Sequence, residues 1–301
     1  MSLHVFGAVV TARGIAANNR GETEGNITTL QKILWNDTVH TTVSAEAIRW
    51  AIRYYWQIKG KKTNRKWSDE KEGFDWEDEK WSGWGKPDGL TYIDDDLLGF
   101  MKAEGGKSEG EKGHADKRRG VLEFTRAVST TPFAGDITFN AKSGEKGRTS
   151  LYGTEVHATR YQYGFAMTPQ RLRVPSRASD ALDAIASLGE VAGNHSRFLF
   201  DFSPESLVLR LTDDPAPRIL FCFSESPGGG TDAPELVRRV AAGDIGADGL
   251  YIGGRITESK GIAALKDQGV HIFDGIKPAM KAFKDALDAK LKEKPPADKE
   301  S

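Results

Sequence analysis

The sequence predicts an α+β fold, with one antiparallel sheet and its helices forming a single domain that carries excursions. Three observations predict it. Period-2 apolar runs occur at HVFGAVVT (4–11), GVLEFTRAVST (120–130) and SLVLRLTDD (206–214), and helical spacing occurs at 44–56 and 178–191. These stretches also alternate in order as strand, helix, strands, helix and strand. With 301 residues and 38% hydrophobic content, the chain can bury one sizeable core.

His4 to Thr11 is predicted to be a central strand, because Val5 and Val9 oppose Phe6 and Val10 across it, so both faces are apolar. The loop ARGIAANNRGETEGN follows, and its Gly and Asn residues accept positive φ and expose backbone amides. A helix then starts at Ser44, a predicted N-cap, with Glu46 in the first turn where the helix dipole favours a carboxylate. Ala47, Ile48, Ala51, Ile52 and Tyr55 form its apolar stripe. Arg49 and Arg53, four apart, share another face that could hold two successive phosphates or pair with acids. Residues 59–119 lose periodicity and read as an insertion, with exposed-looking Trp67, Trp76, Trp81 and Trp84 that could stack on bases or pin the insertion down. Within it, 90–103 reads as a short helix or strand pair, and GGKSEGEKGHADKRR is too polar to bury anything.

Strands are predicted at 120–130 and 152–167, with the Gly- and Lys-rich AKSGEKGR (141–148) as the tip of a projecting hairpin. A second amphipathic helix spans 178–191, capped by Ser179 or Asp180. The turn AGNHSR (192–197) offers amides and donors suited to phosphate or ribose. Strands FLFDF, SLVLRLTDD and ILFCFSE come next, and the whole reads as two β-α-β halves closing on one sheet, the ferredoxin-like arrangement. The C-terminal part adds helices and the short strands LYIG and VHIF. GADGLYIGGR has neither phosphate-loop spacing and reads as strand and turn.

Forty-two Lys and Arg against forty-three Asp and Glu give a formal charge of −1, so any nucleic-acid site must come from segregated charge. Acids concentrate at 68–80 and 94–96. Basic residues concentrate at 59–66, 114–119 and 171–177. The single cysteine, Cys222, excludes an intramolecular disulfide and reads as a buried strand thiol. No apolar run approaches a membrane span, so a cytoplasmic protein with no membrane contact is expected.

Three stretches, TTVSAEAIRWAIRYYW, GTEVHATRYQYGFAM and AGNHSRFLFDFSPESLVLRLTDD, resemble the backbone subunit of the CRISPR Cascade complex, the Cas seven family in its DevR branch of type I-B systems. The resemblance runs in order from about His4 to Leu287. It implies an RRM-like (ferredoxin-like) palm at 1–58 and 120–287, a finger-like insertion at 59–119, a thumb hairpin at about 129–156 and a disordered tail at 288–301. It also implies guide RNA (crRNA) as partner, target DNA through the RNA–DNA hybrid, further copies of the chain and other Cascade subunits. No cofactor, metal or catalytic residue is expected. The candidate RNA-contacting residues are Arg13, Asn26, Ser44, Arg49, Arg53, Lys117, Arg118, Arg126, Arg148, Arg160, Asn194, His195 and Arg197. Two other classes stay open: an RNA-processing nuclease using His40, His157 and His195, and a regulatory protein-interaction module. Asp94, Asp95, Asp96, Asp213 and Asp214 could serve a nuclease through Mg²⁺, though adjacent acids in turns are usually solvated.

Overall fold

The computed structural model describes residues 2–17, 23–104, 114–141, 151–193 and 196–293, with the side chains of 102–104 and 114–116 excepted. Its main sheet has nine strands. In chain order they are β1 (His4–Thr11), β2 (Lys32–Trp35), β3 (Thr38–Val43), β4 (Leu122–Phe124), β5 (Ala127–Ser129), β6 (Tyr161–Met167), β7 (Pro204–Thr212), β8 (Leu250–Gly254) and β9 (His271–Phe273). They lie side by side as β9-β8-β7-β1-β6-β5-β3-β2, with β4 also pairing with β6. Every pair is antiparallel except β8–β9.

The helices are α1 (Ala45–Ile58), α2 (Ile93–Leu98), α3 (Arg177–Ala186), α4 (Pro234–Ala241), α5 (Lys260–Ala264) and α6 (Ile276–Lys292). Strand periodicity divides the core between the two faces of the sheet. Val5 and Val9 of β1 join a cluster with Ile48, Ile52 and Trp56 of α1, Leu182 of α3 and Phe283 of α6. Phe6, Ala8 and Val10 face the other way, onto Leu236 of α4 and Ile262 of α5. A buried side chain of this size contributes about 1.5–3 kcal/mol, so β1 anchors both layers. At Gly7 a Cβ would collide with the Phe165 ring, so only glycine lets β1 and β6 close at that register.

Several expected elements differ. The run 152–167 divides into three pieces, because its first part (Leu151–Glu155) joins a separate sheet and His157–Thr159 pairs with Gly14–Ala16. Helix α3 starts at Arg177, with Ser176 at the N-cap position rather than Ser179 or Asp180, and ends at Ala186. FLFDF is not a strand. Phe200 and Phe202 instead pack against Tyr161, with ring centroids 5.4 and 6.1 Å away, so burial rather than sheet pairing explains their apolar character. ILFCFSE supplies only Ser224–Glu225 to a minor pair, and Cys222 is buried outside any strand, its thiol pushed up to about 12 by burial. The β2–β3 hairpin was not expected; Asn36 and Asp37 turn it with φ of 48° and 62°, values these residues tolerate. Helix α6 continues to Lys292, past the boundary expected at 288.

A four-stranded arm stands apart from the main sheet. Ile137–Ala141 pairs antiparallel with Leu151–Glu155, which pairs in parallel with Ile27–Thr28, itself antiparallel to Thr23–Glu24. The hairpin tip lies outside the described residues. The segment expected to be an insertion, 59–119, contains two hairpins, Arg65–Ser68 with Gly73–Trp76 and Gly99–Glu104 with His114–Arg119, so the basic run HADKRR is a strand. Gly99 closes the second hairpin with φ of +72°, and a Cβ there would strike the Arg118 carbonyl.

Candidate nucleic-acid interface

The arginine pair on α1 is the first feature the fold rearranges. Asp94, Asp95 and Asp96 of α2 are wholly buried rather than solvated. Arg53 is only 7% exposed and donates from Nε to Asp94 Oδ2 at 3.2 Å. Arg49 donates to the Leu98 carbonyl. Arg118 and Arg177 donate to Asp96 at 2.7 and 2.8 Å, and backbone N–H groups of Asn64, Arg173 and Val174 satisfy further carboxylate oxygens. Burial pushes Arg53 down to about 10, so it keeps its charge at neutral pH. The expectation of an open anion-binding face on α1 is therefore corrected: the carboxylates that occupy it come from a helix about forty residues away in sequence. Arg118 joins the same hub, and its guanidinium lies 4.3 Å over Trp84. The tryptophans are not a uniformly exposed set, since Trp81 is buried and stacks on Phe100 at 4.4 Å while Trp76 is 39% exposed.

Other candidates are also engaged. Ser44 caps α1 by accepting from Ala47 N–H, as its position predicts. Arg160 is 3% exposed and donates to Glu205 and Glu225, both at 3.1 Å, and to the Gly229 carbonyl at 3.0 Å. The sequence reads Arg160 as an ordinary residue of the run 152–167 and gives no sign of these partners, which lie 45 and 65 positions further on. Arg148, Asn194 and His195 lie outside the described residues.

Two candidates, Asn26 and Arg197, contact the arm, and two more, Arg13 and Arg126, lie on segments that border it. Asn26 is exposed, and its carbonyl accepts from Gly153 N–H in the arm strand. Arg197, also exposed, lies 5.2 Å over the ring of the neighbouring residue, Tyr152, and donates to its hydroxyl. Arg126 is exposed and donates to Gln31 and Thr42 at 3.1 and 3.2 Å. Arg13 is exposed just before Gly14–Ala16, the strand that pairs with His157–Thr159 at the foot of the arm. A small cleft lined by Ala16, Leu30, Thr42, Val191, Ala192 and Phe200 joins these segments. Arg13 and Arg126 form no ion pair among the described residues, so their charge is available to phosphate. Lys117 is exposed but belongs to a different cavity. Sequence reading missed the arm's apolar surface, in which Phe139 is 77% and Leu151 64% exposed. The alternation in ITFNA and LYGTE was the available signal.

His40 and His157, which sequence reading could not place together, share one buried polar cluster. His40 Nδ1 donates to the Ser129 carbonyl at 2.7 Å, and its Nε2 lies 3.0 Å from the Thr38 hydroxyl, which itself donates to the Trp35 carbonyl. His157 Nε2 donates to the Pro132 carbonyl at 3.2 Å, and its Nδ1 accepts from Thr41, which in turn accepts from Tyr161. Burial holds His157 below its ordinary value, which favours its neutral form.

The fold is shared with subunits of known assemblies. A chain of a "CRISPR RNA-guided surveillance complex, pre-nicking" superposes with a TM-score of 0.62 at 14% identity, over 94% of this chain and 99% of that one. A chain of a "CRISPR RNA-guided surveillance complex" gives 0.58 at 15% identity, with the same coverage. The chain thus shares its fold with those two chains. Sequence defines it more closely. Residues 8–176 match the family "CRISPR-associated negative auto-regulator DevR/Csa2". The chain is also 52% identical over 303 residues to a "CRISPR-associated protein Cas7/Cst2/DevR" of Myxococcus xanthus (strain DK1622), covering 97% of this chain and 100% of that protein. The chain belongs to the DevR branch of the Cas7 family of CRISPR-associated proteins.

Proposed function

We propose that this protein is a non-catalytic guide-RNA-binding backbone subunit of a type I-B Cascade. Copies polymerise along the spacer and present it for pairing with target DNA, in antiviral defence or an associated DNA-targeting system, alongside other Cascade subunits. The observation that carries this reading is the near full-length 52% identity to a Cas7/Cst2/DevR protein. The geometry agrees with it. Strands β7-β1-β6-β4 with α1 and α3 on one face support an RRM-like palm, and the arm supports a thumb that reaches a neighbouring copy. Arg13, Asn26, Arg126 and Arg197 offer charge and donors at the arm's base, where a single strand could pass. The tightly hydrogen-bonded, buried histidine pair favours this reading over a nuclease, since neither ring nitrogen is free to reach a substrate.

The test is anisotropy of labelled guide RNA against salt. If Arg13 and Arg126 each neutralise one phosphate, Arg13→Ala with Arg126→Ala flattens the log–log slope by about 1.4, from roughly 0.7 per single-strand contact. An unchanged slope moves the guide away from the arm base.

A further inference from the structure

After the hairpin Arg65–Ser68 and Gly73–Trp76, the chain turns back and builds a cavity of about 230 Å³ lined by Trp76, Glu79, Trp81 and Met101. Its walls are aromatic. The Trp76 and Trp81 rings meet at 87° with centroids 5.8 Å apart, so a group seated in the corner between them lies against a ring face. Trp81 is held rigidly. It is buried, stacks on Phe100 at 4.4 Å and has φ of 48°, a left-handed value that a bulky residue keeps only where its surroundings fix it. Trp76 and Met101 are 39% and 72% exposed, which leaves the corner open to solvent.

The charge around this corner is negative. SDEKEGFDWEDEK (68–80) holds seven acids against two lysines. Asp75 pairs with Lys71 and Glu77 with Lys66, but Glu79 is exposed and has no hydrogen bond or ion pair among the described residues. Lys117, opposite Met101 in the neighbouring hairpin, lines another cavity and does not neutralise it. One carboxylate is thus left beside two indoles. Trp76 already shows what such a ring holds, since the Arg65 guanidinium lies 5.1 Å over it; Arg65 does not line the cavity, so the corner is a separate place on the same ring. An aromatic corner with an unpaired carboxylate suits a cation, and the acidic run repels a phosphate chain.

We propose that this corner seats one cationic side chain, a lysine or an arginine, from a basic segment of a partner protein, with its charge held by the indole faces and Glu79. The partner is not a further copy of this chain. Lys61, Lys66, Arg118 and Arg177 of the chain's own basic runs are already ion-paired within the fold, which leaves a different protein as the better donor. The pocket does not depend on the guide-RNA reading.

The experiment labels the methionine methyls of the full chain with ¹³C and titrates it with acetylated tetralysine and, separately, acetylated tetraarginine. The sequence has four methionines, so the Met101 methyl is assigned by its loss in Met101→Leu. Saturable movement of that resonance is expected, at about 0.15 M salt where distant charges are screened. Glu79→Gln should weaken binding about threefold, the scale of one exposed ion pair. Trp76→Leu should weaken it about tenfold, the scale of a partly desolvated cation–π contact, and unmoved Met167 and Met280 methyls show that this variant is folded. Glu70→Gln, an exposed carboxylate of the same run outside the cavity, should leave binding nearly unchanged. Movement with tetralysine alone assigns the corner to an ammonium, with tetraarginine alone to a guanidinium, and with both to either. An unmoved Met101 methyl, or equal losses in Glu70→Gln and Glu79→Gln, overturns the proposal. So does movement with protein concentration in the absence of peptide, which would make the occupant a second copy.

Discussion

The hub beneath the insertion and the base of the arm use the same residue type in opposite ways. Under the insertion, Arg53, Arg118 and Arg177 converge on the buried carboxylates of Asp94 and Asp96. At the arm, Arg13, Arg126 and Arg197 are exposed, and none has a carboxylate partner among the described residues. An arginine whose charge is already neutralised in the interior has little left to offer a phosphate, and removing its partner strands a charge. An exposed arginine can be removed at small cost to the fold, and its charge is lost to any ligand instead. The helical spacing of Arg49 and Arg53 could not separate these cases, because their neighbours come from residues 94–98.

The sharpest way to break this contrast is Asp94→Ala. It leaves Arg53 buried without its carboxylate and the Asn64 N–H without its acceptor. Breaking a buried pair costs about 3–5 kcal/mol, so urea denaturation should show a large loss of stability. By comparison, Arg126→Ala should change stability by no more than about 0.5 kcal/mol. Equal and small losses at both positions would erase the distinction.

On the arm the expectation reverses. Phe139→Ser with Leu151→Ser removes two side chains that are 77% and 64% exposed, so unfolding should again shift by no more than about 0.5 kcal/mol per site. If the arm meets a second copy, the same change should abolish multi-copy assembly on guide RNA in sedimentation, while one copy still binds. Intact assembly would make this apolar surface incidental.

The smallest effect sharpens the hub. Burial first, and the Asp94 charge second, push the Asp95 carboxyl from 3.8 up to about 6. Between those values the folded chain keeps a proton that the unfolded chain releases, so this group's contribution is present below pH 3.8 and is lost as pH rises through 6. Asp95→Asn cannot titrate. Its stability relative to the wild type should therefore rise across that window and level off above it, as read by denaturant midpoints. A flat difference would mean that Asp95 is charged throughout.

Much of the fold was legible because burial follows period. The alternation in HVFGAVVT gave the central strand, and the stripe from Ala47 to Tyr55 gave α1 with its Ser44 cap. Legibility failed where apolar residues pack without pairing, as at Phe200, Phe202 and Cys222, since a core loop and a buried strand share a composition. At the site, spacing identified which arginines exist but not which are neutralised. Arg160 reads as an ordinary strand cation, yet Glu205 and Glu225, forty-five and sixty-five residues away, enclose it. The Asp94–Asp96 run looked like a solvated turn, and only tertiary contact with Arg53, Arg118 and Arg177 makes its burial tolerable. Arg13, Asn26, Arg126 and Arg197 were each visible in sequence. Their placement on or beside one arm was not, because it depends on pairings between strands more than a hundred residues apart.

The central claim is that copies of this chain line up along a guide RNA. Native mass spectrometry of the protein mixed with two guide RNAs, one carrying twice the spacer length of the other, tests it most directly. The account predicts that bound copies increase in proportion to spacer length and that adding complementary DNA leaves the count unchanged. A single copy on both RNAs, or none on either, would contradict it.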